Sequence, residues 1–151
     1  MTDSCLFLVT MLIAASHYTS AQQQQQQQQH DTADLKPALP NLLDLRCEAL
    51  QSINQAIGMQ HGNGVLSDAL IGAVTEMASY EASFGDLDNY TVHMQALSKI
   101  ARLRGGLERL GLDGLLRRIV AWVDRKGASL YGSMLYFPGD STPATTTFVA
   151  G

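Results

Sequence analysis

Between Leu43 and Val123 the apolar residues recur at steps of three and four, and the runs are broken by glycine clusters. That period is one face of an α-helix, so the natural fold for such a chain is a set of packed amphipathic helices. Leu43, Cys47, Leu50, Ile53 and Ile57 line the first marked helix, which Gly58 and Gly62-Asn63-Gly64 are expected to stop. Ser67 is a candidate N-cap for the second, whose stripe is Leu66, Leu70, Ala73, Met77, Tyr80 and Phe84, ending at Gly85. Asp86 can cap a third, with Leu87, Tyr90, Met94, Leu97 and Ala101 as its apolar side, Ile100 and Leu103 flanking it, and Gly105-Gly106 as its stop. The tight link at Gly85 predicts that the second and third helices form an antiparallel hairpin. A fourth helix is expected from about Leu112 to Arg125, burying Leu115, Leu116, Ile119, Val120 and Val123 with Trp122 on the flank, before Gly127 and Gly132 loosen the chain. No alternating strand pattern of comparable length occurs, so the fold class is all-α, an array of antiparallel amphipathic helices.

A length of 151 residues is room for one domain, and an apolar share of 46% is enough to give it a core. Leu6 to Ala15 is an apolar run of about ten residues, where a bilayer span needs roughly 20. Asp3 precedes the run, without the Lys or Arg of a secretory leader, so residues 1–20 are expected to be a helix packed on the domain. Gln22 to Gln29 is a glutamine run, continued by the polar, proline-bearing stretch to Pro40, and residues 21–40 read as a low-complexity linker. The helical domain proper is 41–138. Residues 139–151, rich in Gly, Ser, Thr, Pro and Ala, read as a disordered tail.

Chemistry-bearing residues do not cluster in the sequence. Cys5, His17, His30, Cys47, His61 and His93 are scattered, without the two-to-four-residue spacing that brings metal ligands together, so no metal or cofactor is expected. Cys47 is expected to be buried on its helix's apolar face, and His93 to lie at the edge of a stripe as a hydrogen-bonded interface residue. Met59 to Gly64 lacks the Lys-Ser or Lys-Thr of a phosphate loop, and Asp86 with Asp88 are explained as helix-start residues rather than a catalytic pair. Charge is uneven: Lys99 to Lys126 holds eight basic residues against three acidic ones, a net of +5, while the remainder carries −9 of a total of −4. The expected cause is that Arg102, Arg104, Arg125 and Lys126 sit in the last turns of helices, where cations oppose the dipole.

Several segments together resemble a known family. Asp86-Leu87, Val92-His93-Met94-Gln95-Ala96-Leu97, Leu103-Arg104-Gly105-Gly106-Leu107 and Leu116-Arg117-Arg118, ending in Trp122, are similar to the helical regulatory domain of fungal-specific transcription factors. Glu48-Ala49-Leu50 to Ile53-Asn54, Ser67-Asp68 to Val74 and Ser79-Tyr80-Glu81-Ala82 agree in character, so the resemblance spans about Asn41 to Pro138. Leu6 to Ser16, with His17 after it, also resembles a helix that precedes this region in the family. The resemblance implies a nuclear, nonenzymatic domain that acts through protein partners and has no catalytic residues. Zinc-cluster members carry a six-cysteine DNA-binding module with no counterpart here, so the chain reads as a truncated member without direct DNA binding or a membrane span. The rival expectation is a secreted helical protein with a signal peptide over 1–21 and glycosylation at the Asn89-Tyr90-Thr91 sequon, or else a nonfunctional gene remnant.

Overall fold

The structure is a computed structural model that describes residues 2–26, 41–62 and 66–139. It is all-α: α1 (Thr2–Gln26), α2 (Leu42–His61), α3 (Asp68–Phe84), α4 (Leu87–Leu103), a short 3₁₀ turn (Leu107–Arg109) and α5 (Leu115–Tyr131). Of the expected linker (21–40) and disordered tail (139–151), residues 27–40 and 140–151 lie outside the described residues. Two compact units divide the chain at Glu76 and Met77, within α3.

In the first unit α1 packs closely against α2. Cys5, Val9, Leu12 and Ser16 recur at four, three and four residues and are all buried, one helical stripe. Cys5 Sγ hydrogen-bonds Ser52 Oγ of α2 at 3.0 Å. A Cβ placed at Gly72 would lie 3.9 Å from Leu6 Cδ1, and one turn further along both helices the Thr10 hydroxyl donates to Glu76 Oε2 at 3.1 Å. The two contacts advance in the same order, so α1 and α3 run parallel. Glutamine is a good helix former, and α1 takes in Gln22 to Gln26 instead of ending at residue 20. Thus extended, Ser4–Gln25 is long and apolar enough, by length and composition, to cross a membrane, which the ten-residue run alone is not.

The face of α2 differs from the expected one. Ala49, Ile53 and Ala56 are buried, whereas Leu43 and Cys47 are exposed. Two alanines among the buried positions suit the close approach to α1, since small side chains let two helix backbones come together. Gly58 does not stop α2, which runs on to His61. Gln60 Oε1 then accepts the Ser67 amide at 2.7 Å, and Ser67 Oγ caps α3 through the Leu70 amide at 3.2 Å. Along α3 burial extends past the expected stripe to Ile71, Val74, Thr75, Ala78, Glu81 and Ala82, so α3 is covered on nearly every side.

In the second unit Asp86 caps α4 by accepting the Asn89 amide at 2.8 Å. Tyr90, Met94, Leu97, Ile100 and Ala101 form its buried side, while Leu87 and Leu103 are exposed. Gly105 and Gly106 end α4 in positive φ, with the Gly106 amide reaching back to Ala101 O at 2.8 Å, the glycine-dependent terminus of a Schellman motif. The entry to α5 is left-handed: Leu112, Asp113 and Gly114 have φ of 61°, 53° and 83°. This tight turn, closed by Leu115 N to Leu112 O at 2.9 Å, delays the helix start from the expected Leu112 to Leu115. At the other end Gly127 does not loosen α5, which continues to Tyr131. Tyr90 of α4 is 1% exposed and its ring lies against Gly127 so closely that a Cβ there would overlap the phenol. Glycine is required at 127 by contact, not by chain reversal.

Candidate interaction surface

Nothing among the described residues converges toward metal chemistry, there being no group of three or more His, Cys, Asp or Glu that could hold an ion. Cys5 is buried and Cys47 exposed, on different helices. His17 is exposed on α1 and His93 half-buried on α4; His30 and the His61 side chain fall outside the described residues. Asp86 is occupied as a cap, and its second oxygen accepts Asn89 Nδ2 at 3.0 Å, which engages the amide of the sequon. An open cleft of about 400 Å³ is lined by Gly105, Gly106, Leu107, Glu108, Phe137 and Gly139, with Glu108 its one charged side chain among the described residues.

Asp124, Tyr131 and Tyr90 serve structure. Asp124 is 2% exposed, and its carboxylate accepts the Tyr136 and Phe137 amides at 3.0 and 2.9 Å, which fastens the segment after α5 back onto that helix. Tyr131 donates its hydroxyl to Glu81 O at 3.1 Å. Tyr90 is flanked by the rings of Tyr131 and Tyr136 at 5.5 and 6.5 Å. Burial, then the nearby Asp124, push its phenol well above the ordinary tyrosine range, so it stays neutral.

Some of what the structure presents outward is apolar. Phe7, Met11 and Tyr18 stand exposed on α1. On α5 Leu115, Ile119 and Trp122, at four and three residues, form an exposed row, where the sequence pattern placed Leu115 and Ile119 in the core. Lys126 Nζ sits 5.1 Å from the Trp122 ring centroid and donates to Ser83 Oγ at 2.6 Å, and its partial burial lowers the ammonium pKa. The helix-end account holds for Arg102, in the last turn of α4, and for Arg104 at its C-cap. It does not hold for Arg125 and Lys126: α5 runs past them to Tyr131, and its last turn has no basic residue.

The described residues thus form an all-helical chain with buried polar anchors and rows of exposed apolar side chains. The chain belongs to the fungal-specific transcription factor domain family, whose model matches residues 1–145. The match takes in both the Asn41 to Pro138 region and the Leu6 to Ser16 segment that carried the resemblance in sequence. No curated protein and no solved structure matches the chain.

Proposed function

We propose that the chain is a nonenzymatic regulatory domain that acts in the nucleus through protein contacts made by helix faces, without binding DNA itself. Membership of a transcription factor domain family supports a role in regulation. The observation that carries the contact reading is the exposed row Leu115, Ile119 and Trp122 on a helix whose other face is buried. Large apolar side chains grouped on a surface mark sites where another protein docks. On this reading α1 is part of the fold and not a membrane span, since its Cys5–Val9–Leu12–Ser16 stripe is buried against protein.

The test is to fuse the full chain to a heterologous DNA-binding module and measure a reporter with the matching operator. A change in reporter output, together with no binding of random duplex DNA by the unfused chain at about 1 μM and physiological salt, is the expected result. An inert fusion sinks the regulatory reading, and tight duplex binding by the unfused chain sinks the claim that it needs partners to reach DNA.

A further inference from the structure

We propose that the exposed face of α5 docks an acidic amphipathic helix of a partner protein, an inference that rests on the contact reading above. At 100° per residue Leu115, Ile119 and Trp122 make one row, 45%, 38% and 54% exposed, and Arg118 and Arg125 make the row beside it. Both arginines are exposed, and neither guanidinium has a hydrogen-bond or ion-pair partner among the described residues. The single acid of α5, Asp124, is turned inward and taken up by the two backbone amides. The outer face of α5 therefore offers an apolar ridge and a cationic edge with no carboxylate of its own.

Helix stability does not account for these cations. Arg117 and Arg118 stand at the start of α5, where the dipole disfavours positive charge and where the helix has no acidic residue. Arg125 lies six residues before its end. Trp122 is held in place by Lys126 over its ring, and Trp and Arg are the residues that most often dominate protein interfaces. Charge complementarity selects the occupant. A second copy using the same face would bring Arg118 and Arg125 against their own counterparts in a symmetric contact, which like charge opposes. Nucleic acid would satisfy the arginines but leave the apolar row against phosphate, and the residues outside Lys99–Lys126 carry −9. A helix with Leu or Phe at steps of three and four, bordered by Asp and Glu, satisfies both rows together.

Trp122 is the one tryptophan of the chain, so its emission reports on this face in the full-length protein. The probe is a synthetic peptide of about five helical turns, with Leu and Phe on one face and Glu and Asp on the other. Controls are a scrambled peptide of the same composition and one with Lys in place of the acids. The expected result is a blue shift of Trp122 with the acidic amphipathic peptide alone, weakened by salt. By labelled-peptide anisotropy, Trp122→Ala and the double variant Arg118→Glu with Arg125→Glu should each lose about tenfold in affinity or more. These side chains are exposed, so circular dichroism melts should be unchanged; should the Glu double variant melt early, Arg118→Gln with Arg125→Gln replaces it.

Absence of a shift, equal binding of the Lys peptide, or affinity indifferent to the arginines overturns the proposal. So does a dimer in light scattering that Trp122→Ala splits, or arginine-dependent binding of duplex DNA in place of the peptide. If the reporter effect of the fused chain survives all these variants, the regulatory reading stands and this surface falls. An inert fusion of a chain that still binds the peptide refutes the regulatory reading and leaves this surface standing.

Discussion

Gly58 and Gly127 are both interior helix glycines, and replacing each with alanine should move stability in opposite directions. In an open helix position Gly→Ala is worth roughly 0.5–1 kcal/mol of stabilisation, because alanine restricts the unfolded chain and favours the helix. A Cβ at Gly58 meets nothing within 4 Å among the described residues, so Gly58→Ala should give that gain. At Gly127 the same Cβ meets the hydroxyl end of Tyr90 and lies 2.7 Å from its Cε1. The ring cannot swing aside, since Tyr90 is 1% exposed and sits against Tyr131 and Tyr136. Overpacking of this kind costs about 1–3 kcal/mol, which outweighs the propensity gain. The net expectation for Gly127→Ala is a loss of about 1 kcal/mol at mid-range, and up to about 2.5 kcal/mol, after that gain is subtracted. Urea unfolding followed by far-ultraviolet circular dichroism would show the midpoint rising for Gly58→Ala and falling for Gly127→Ala. If Gly127→Ala raises the midpoint as Gly58→Ala does, Tyr90 does not pack on α5 as described.

Asp124→Asn replaces a carboxylate that accepts two amides with a group offering one acceptor, so about 1–3 kcal/mol should be lost; chymotrypsin should then cut faster at Tyr136 and Phe137, and an unchanged cleavage rate would contradict the anchor. Burial raises the Glu76 carboxyl above its ordinary value of 4.5, only partly offset by the Thr10 hydrogen bond. The folded chain thus holds that proton more tightly than the unfolded chain, and ionisation subtracts stability as pH rises through the raised value. Glu76→Gln should melt above the wild type at neutral pH, with the gap closing as pH falls below 4.5; a gap independent of pH would exclude this cause. Cys47 is exposed and Cys5 is 1% exposed, so a thiol reagent should titrate one cysteine promptly and the second only on unfolding, whereas two equal rates would mean that α1 is not packed on α2.

Sequence spacing exposed most of the architecture where one face of a helix is buried and the other wet. α4 is the clearest case: Tyr90, Met94, Leu97 and Ala101 are read from steps of four, three and four, and both its cap and its glycine stop follow from local chemistry. α2 was legible as a helix but not in its orientation. Its aliphatic residues lie on more than one side, and the side facing α1 is chosen by the small Ala49 and Ala56, which hydrophobicity ranks below Leu43. The breadth of α3 burial was likewise hidden, because a stripe shows which residues must be covered and not how many neighbours a helix has. Asp124 gave no signal as an anchor, since its partners are backbone amides twelve and thirteen residues away and backbone amides carry no sequence identity.

Part of the cationic edge of the proposed surface was concealed by one glycine. A helix that stopped at Gly127 would put Arg125 and Lys126 in its last turn, where the dipole accounts for them and the basic segment needs no partner. With Tyr90 lying over it, Gly127 is an interior helix residue, and α5 gains a further turn to Tyr131. Arg125 then stands beside Trp122 on the middle of the helix rather than at its terminus. A propensity argument reads glycine as chain reversal because it weighs only the local backbone. The contact from α4, 37 positions earlier in the chain, is what decides between reversal and close approach. The same contact leaves Arg125 without a local explanation, and the absence of a side-chain partner for Arg118 or Arg125 among the described residues then points outward, to charge that another molecule supplies.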